Sequence, residues 1–188
     1  GCGLSGAVIA ERIANILNEP GLIIEKSGHI AGNCYDYIDE ETGILCSKYG
    51  AHLFHTNNES VWSYVNSFDN WIRWEHKVLS YVDGKYVSIP INITTVNELC
   101  GEHLKTPEEM REWLEKNQVK YGDDASVITN SEQMALSRVG QVLYDKMIKD
   151  YTYKQWAKFP SELDKSVLAR IPIRDNFDTR YFSDKYQA

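Results

Sequence analysis

The stretch GCGLSGAVIAERIANILNEPGLIIE, residues 1–25, decides the reading of the chain. Gly1, Gly3 and Gly6 stand in the order G-x-G-x-x-G, the apolar residues from Gly6 to Leu17 recur at helical spacing, and Asn18-Glu19-Pro20-Gly21 supplies the stop. Leu22-Ile23-Ile24-Glu25 then reads as a short buried strand. Glycine turn, helix, turn, strand is the order of one half of a nucleotide-binding βαβ unit, in which the helix N-terminus offers free N–H groups to a pyrophosphate. Glu25 ends the strand, where its carboxylate can accept both hydroxyls of an adenosine ribose. The motif also requires a strand before the first glycine, and the sequence does not contain one. The glycines alone are equally compatible with an ordinary turn; Glu25 tips the balance toward an adenine dinucleotide.

Outward from this core, Gly28-His29-Ile30-Ala31-Gly32-Asn33 follows the strand closely enough for its amides to form a second anion-binding turn, although spacing alone slightly favours a simple loop. In Tyr49-Gly50-Ala51-His52-Leu53-Phe54-His55 two histidines lie three apart, but no Cys or acidic third ligand stands nearby, so no metal site is expected. His52 reads as a hydrogen-bonding group near a cofactor ring and His55 as a structural residue, the alternative being a pair of core histidines. Thr56-Asn57-Asn58-Glu59 has the form of a capping box before a short amphipathic helix. The period then changes. Residues 77–82 and 85–89, separated by Asp83-Gly84, predict a β-hairpin with a tight turn at positive φ.

From Asn92 to about Lys158 the pattern is helical throughout, with capping boxes at Thr106-Pro107-Glu108-Glu109 and Thr129-Asn130-Ser131-Glu132. The second helix is expected to point Leu136, Val139, Val142 or Leu143, and Met147 inward. Residues 159–166 are polar and punctuated, which predicts a mobile loop before Arg170-Ile171-Pro172-Ile173-Arg174 resumes extended structure. Tyr151-Thr152-Tyr153-Lys154-Gln155-Trp156 precedes that loop. An aromatic platform with an arginine on a mobile arm suits a nucleoside diphosphate, although core aromatics and a solvated arginine would be the commoner outcome of such spacing.

The 188 residues are 43% hydrophobic and 25% charged, a globular balance that excludes disorder as the dominant state. Twenty Lys and Arg against 27 Asp and Glu give a net charge of −7, which leaves no broad basic face for nucleic acid. No apolar run is long enough to cross a bilayer and no secretory signal is evident, so a cytoplasmic protein is expected. Cys2, Cys34, Cys46 and Cys100 lack C-x-x-C spacing and are expected to be reduced and mostly buried.

Seven stretches in this order resemble the UDP-galactopyranose mutase family: GCGLSGA at 1–7, EKSGHIAGN at 25–33, KYGAHLFHTN at 48–57, SIPIN at 88–92, YTYKQW at 151–156, PSEL at 160–163 and RIPIRDNFDTRYFSDKYQ at 170–187. The resemblance implies an FAD enzyme, active with reduced flavin, that interconverts UDP-galactopyranose and UDP-galactofuranose. In that family the flavin N5 attacks the anomeric carbon and expels UDP, and reclosure of the opened sugar exchanges the ring size with no net redox change. By position, Gly1, Gly3, Ser5, Gly6, Glu25, Gly32 and Asn33 look like FAD-binding residues, with His52 and Leu53 beside the flavin. Asn92, Tyr151, Thr152 and Trp156 look like uridine and sugar contacts, and Tyr181 like a phosphate hydroxyl donor. Arg170, with His52 the expected catalytic residue, looks like the arginine of a lid over about 161–171 that closes on the diphosphate. Ala31, Asp150 and Ala157 depart from the family, which usually has glycine at each.

The implied fold is α/β: an FAD-binding Rossmann-like domain over 1–70 that lacks its first strand, a hairpin of an antiparallel sheet over 71–91, an inserted helical domain over 92–158, and a mobile substrate loop with a return strand over 159–188. The family is about twice as long, so the chain is expected to be an N-terminal half that neither holds FAD tightly nor turns over alone; a homodimer is expected of the complete enzyme. Two other readings share the glycine motif and Glu25: an FAD oxidoreductase of the amine-oxidase type and a non-catalytic nucleotide-binding protein.

Overall fold

A computed structural model describes residues 1–122 and 127–188. The chain divides into two units, Gly1–Phe54 and His55–Ala188.

In the first unit, extended backbone at Gly3 opens α1 (Leu4–Arg12), which continues through a π-helical turn at Ile13–Leu17 and stops at Asn18 in left-handed backbone. Gly6 must be glycine, because a Cβ there would lie 1.9 Å from the Gly1 carbonyl oxygen. The chain returns so that Ala31 N–H donates to the Cys2 carbonyl at 2.8 Å, and Gly3 and Ala31 form a single parallel bridge. A 3-10 turn at Gly32–Cys34 leads into an antiparallel pair, β1 (Asp36–Ile38) and β2 (Leu45–Ser47). The strand expected at 22–25 does not form: those residues have no ladder partner, and Leu22 is 87% exposed. No residue of this unit is buried.

In the second unit, β3 (His55–Thr56) pairs with β6 (Tyr186–Gln187). The cap of α2 (Glu59–Val65) is Asn58, not Thr56: Asn58 Oδ1 accepts from the amides of Ser60 at 2.9 Å and Val61 at 3.2 Å. Thr56 lies too far back and instead accepts from Asn58 N–H at 3.0 Å. The same correction applies to α5 (Ser131–Leu143), where Asn130 rather than Thr129 caps, whereas Thr106 and Glu109 form the box of α4 (Pro107–Asn117) as read. Strands β4 (Val78–Val82) and β5 (Lys85–Ile89) form the hairpin, with Asp83 and Gly84 at φ 49° and 79°. That pair of positive φ values is what Asp-Gly supplies in a two-residue turn.

The helical stretch is not continuous. α3 (Ile93–Cys100) ends at Gly101 in left-handed backbone, and α4 ends at Gln118 in extended backbone. α5 bends at Gly140 (φ 75°, ψ 178°), passes through a π-helical turn at Tyr144–Lys149, and continues as α6 (Asp150–Trp156). The bend brings α5 against the end of α4, where a Cβ on Gly140 would lie 2.2 Å from the Asn117 carbonyl oxygen. The core gathers Val87, Ile91, Ile93, Val96, Met110, Ala135, Val139, Leu143, Tyr144, Met147, Ile148 and Leu168. Leu143 rather than Val142 is thus the inward residue of the pair left open by the sequence.

Residues 159–169 are not featureless. A 3-10 turn at Pro160–Glu162 and helix α7 (Ser166–Ala169) pack on α5, fixed by Ser131 Oγ donating to the Asp164 carbonyl at 2.6 Å and Arg138 Nη1 to that of Ala169 at 2.8 Å. Pro160 and Leu168 are the buried anchors, set in apolar runs, Phe159-Pro160 and Val167-Leu168-Ala169, too short to establish a period. The four cysteines are free, and all are half-buried rather than buried. Among the described residues no helix is long and apolar enough to cross a membrane.

Candidate functional site

In the first unit the glycine motif, the second turn and Glu25 converge. Glu25 Oε2 accepts from Cys2 N–H at 2.5 Å and Oε1 from Ser27 N–H at 2.8 Å. These backbone donors, Cys2 foremost, lower the carboxyl from its ordinary value near 4.5 to about 2, so Glu25 is ionised at neutral pH. Gly3 and Gly32 meet so closely that a Cβ on Gly32, at φ 58°, would stand 3.0 Å from Gly3 Cα. α1 has no side-chain cap and no acidic residue in its first turn. Its leading amides, Ser5 and Gly6 included, have no partner within the helix, which is how a helix end receives an anion. Asn33 is exposed beside Gly32.

Ala31 adopts φ 69°, ψ −3°, left-handed backbone that costs a non-glycine residue roughly 1 kcal/mol. Ala157, which ends α6 at φ 51°, ψ 27°, carries the same penalty. His52 is exposed, and its Nδ1 donates to the Gly50 carbonyl at 2.9 Å, which leaves Nε2 as an acceptor. Leu53 is half-buried beside it in sequence. His29, not among the expected site residues, stacks on Tyr35 at 4.1 Å and bonds through Nε2 to the Tyr49 hydroxyl at 2.9 Å, which ties the second turn to the residues flanking β1 and β2.

In the second unit, His55 Nδ1 pairs with Asp184 at 2.9 Å and its ring stacks on Phe182 at 3.7 Å. Asn57 donates to the same carboxylate at 2.8 Å. Among the described residues no group of His, Cys, Asp or Glu could hold a metal ion.

Asn92 is fully buried. Its Oδ1 caps α3 by accepting from Thr95 N–H at 3.0 Å, and its Nδ2 donates to the Asp178 carbonyl at 3.2 Å. α6 sets Tyr151 and Trp156 half-exposed, at 53% and 48%, while Thr152 is buried with its hydroxyl unpartnered. Tyr181 N–H donates to the His76 carbonyl at 2.6 Å, and among the described residues its hydroxyl has no partner. Arg170 is exposed just after α7, and among the described residues its guanidinium has no partner either. Every other arginine has one: Arg12, Arg73 and Arg111 pair with carboxylates, Arg138 with two carbonyls, and Arg174 and Arg180 with Asp178. Asp178, which the sequence reading missed, takes Arg180 through two oxygens and Arg174 at 2.6 Å; hydrogen bonding from Arg180, before all else, lowers its carboxyl to about 2. The signal was present in the spacing of Arg174, Asp178 and Arg180 within RIPIRDNFDTR.

Residues 146–188 match the family model described as UDP-galactopyranose mutase, and residues 1–68 match one described as an NAD(P)-binding Rossmann-like domain. A probable UDP-galactopyranose mutase of Klebsiella pneumoniae is 39% identical over 191 residues, covering 100% of this chain and 47% of that protein. A dTDP-fucopyranose mutase of Escherichia coli is 38% identical over 187 residues, covering 100% of this chain and 48% of its own. A UDP-galactopyranose mutase of Mycoplasma genitalium is 30% identical over 98% of this chain and 45% of its own. The chain spans about half the length of the curated relatives it matches. With a match to a Rossmann-like model at one end and to a mutase model at the other, the chain is similar along its whole length to about half of these mutases.

Proposed function

We propose that the chain carries cofactor-binding and substrate-binding parts of a flavin-dependent nucleotide-sugar mutase, an isomerase that interconverts UDP-galactopyranose and UDP-galactofuranose. The observation that carries this reading is the 39% identity over the full chain to a probable UDP-galactopyranose mutase. The first unit fits FAD: glycines that a Cβ would disrupt at Gly6 and Gly32, an uncapped α1, and an ionised Glu25 near the glycine turn. The amides of α1 and of the second turn at Gly32 and Asn33 hold the pyrophosphate, Glu25 accepts from the adenosine ribose, and His52 and Leu53 lie beside the flavin ring. Bound there, reduced FAD supplies the nucleophile for the anomeric carbon, so that the sugar isomerises without net oxidation.

The remaining work belongs to side chains of the second unit. Tyr151 and Trp156, half-exposed on α6, hold the uridine and sugar, and Tyr181 donates its hydroxyl to a phosphate oxygen; Thr152 and Asn92, both buried, serve by packing and by fixing the backbone around them rather than by direct contact. Arg170 receives the charge that develops on the diphosphate as the glycosidic C–O bond breaks, a task suited to a planar guanidinium that has no other partner among the described residues. To act as the lid that brings it there, the segment 161–171 has to release the bonds from Ser131 to Asp164 and from Arg138 to Ala169. The helical segment 92–158 acts as an inserted domain, and the complete enzyme works as a cytoplasmic homodimer.

A second reading keeps the chemistry and changes the substrate, since the dTDP-fucopyranose mutase is as similar, at 38%. The protein carrying this chain should be supplied with FAD, oxidised or reduced with dithionite, and with UDP-galactopyranose or dTDP-fucopyranose. The furanose product is expected from the UDP-sugar under reducing conditions alone. Equal rates in the two redox states would remove the flavin-nucleophile mechanism. Preference for the dTDP-sugar would select the second reading, and stoichiometric oxidation of substrate would instead indicate the amine-oxidase type. Residues 1–188 alone are expected to hold FAD weakly and to show no turnover.

A further inference from the structure

Asp178 joins several parts of the second unit. Its carboxylate engages Arg180 Nε at 3.0 Å and Nη2 at 2.8 Å, and Arg174 Nη1 at 2.6 Å. Its carbonyl accepts from Asn92 Nδ2, and Arg174, which it holds, reaches the Tyr181 carbonyl at 3.5 Å. The segment around it is fixed to the 91–93 stretch by Arg174 N–H donating to the Ile91 carbonyl at 2.9 Å and Ile93 N–H to that of Asn176 at 3.2 Å. One residue therefore links Asn92 to Tyr181 and neutralises both arginines that lie between Arg170 and the end of the chain.

We infer that the Asp178 carboxylate is a positioning group for nucleotide-sugar recognition: through Arg174 it fixes the backbone at Tyr181, and it keeps Arg174 and Arg180 paired, so that among the described residues Arg170 remains the arginine open to a diphosphate. This rests on the proposed function of the second unit. A carboxylate shared by two guanidiniums lowers their attraction for any anion, so its removal should release cationic sites with no preference for a nucleoside. A residue needed only for folding would weaken all ligands alike.

The test uses the protein carrying this chain, with UDP and inorganic pyrophosphate as probes, titrated by calorimetry alongside thermal denaturation. The unmodified chain is expected to prefer UDP. Asp178→Asn should weaken UDP and strengthen pyrophosphate, moving the ratio of the two affinities about tenfold, and Asp178→Glu should restore most of that ratio. Arg170→Ala, as the control, should weaken both probes in Asp178-containing chain. An unchanged ratio in Asp178→Asn, or parallel loss of both probes with a fall in melting temperature that Asp178→Glu does not reverse, would overturn the inference. Absence of UDP binding by the unmodified chain would overturn the nucleotide-sugar reading of this unit itself.

Discussion

Glu25 illustrates how a residue can be singled out in the sequence while its surroundings stay hidden. Its place at the end of an apolar run was enough to select it as a ribose acceptor, but not to reveal that both oxygens already accept backbone amides, one of them from the glycine turn. The contact has a pH signature. Because the folded carboxyl is lowered from about 4.5 to about 2, its contribution to stability is fully present above pH 4.5 and is lost as pH falls through 2. A side-chain carbon NMR titration is expected to place the Glu25 midpoint near 2, and a midpoint at the ordinary glutamate value would show that the bonds to Cys2 and Ser27 do not persist in solution. Ala31 and Ala157 make a complementary point: the sequence showed that both replace a glycine usual in the resembled family, and the backbone shows what that means, since both sit at positive φ. Asn92 was chosen for its place in SIPIN, and its amide proves to be committed to capping α3 and to Asp178.

At the scale of elements, local signals served well where the structure is local. The Asp83-Gly84 hairpin and the Thr106 capping box need only neighbouring residues, and both form as their patterns require. Caps displaced to Asn58 and Asn130 show the resolution of such patterns: two capping residues in a row compete, and the one immediately before the first helical amide wins. The bend in α5 has no local signal beyond a glycine. Gly140 adopts backbone that only glycine tolerates and touches Asn117 of α4, a contact fixed by packing. Gly140→Ala is expected to destabilise the chain by about 3 kcal/mol, from backbone strain and from the clash with the Asn117 carbonyl. Urea denaturation monitored by circular dichroism checks this, and a change within experimental error would mean that α5 can straighten without disturbing the core.

At the scale of the molecule, the two units differ in how much of their apolar surface is buried. Residues 55–188 close over a core of twelve buried apolar residues, whereas residues 1–54 bury none. Amide exchange should report this: α1 and β1–β2 are expected to exchange far faster than α5 around Val139 and Leu143, because short, solvent-exposed hydrogen-bonded segments open without disrupting a core. Comparable protection of both units, measured by mass spectrometry, would contradict it. The sequence by itself determined the local units and the resemblance of the chain: glycine turn, amphipathic helices, hairpin, and the family likeness carried by short ordered motifs. Those depend on contacts between near neighbours and on residue identity. The tertiary structure alone decided that, among the described residues, 22–25 finds no ladder partner, that 159–169 is anchored by Pro160 and Leu168, and that among those same residues Arg170 has no partner while Asp178 holds Arg174 and Arg180. Each of these turns on which backbone or side-chain groups find a partner in space, and that competition is settled only when the chain has folded.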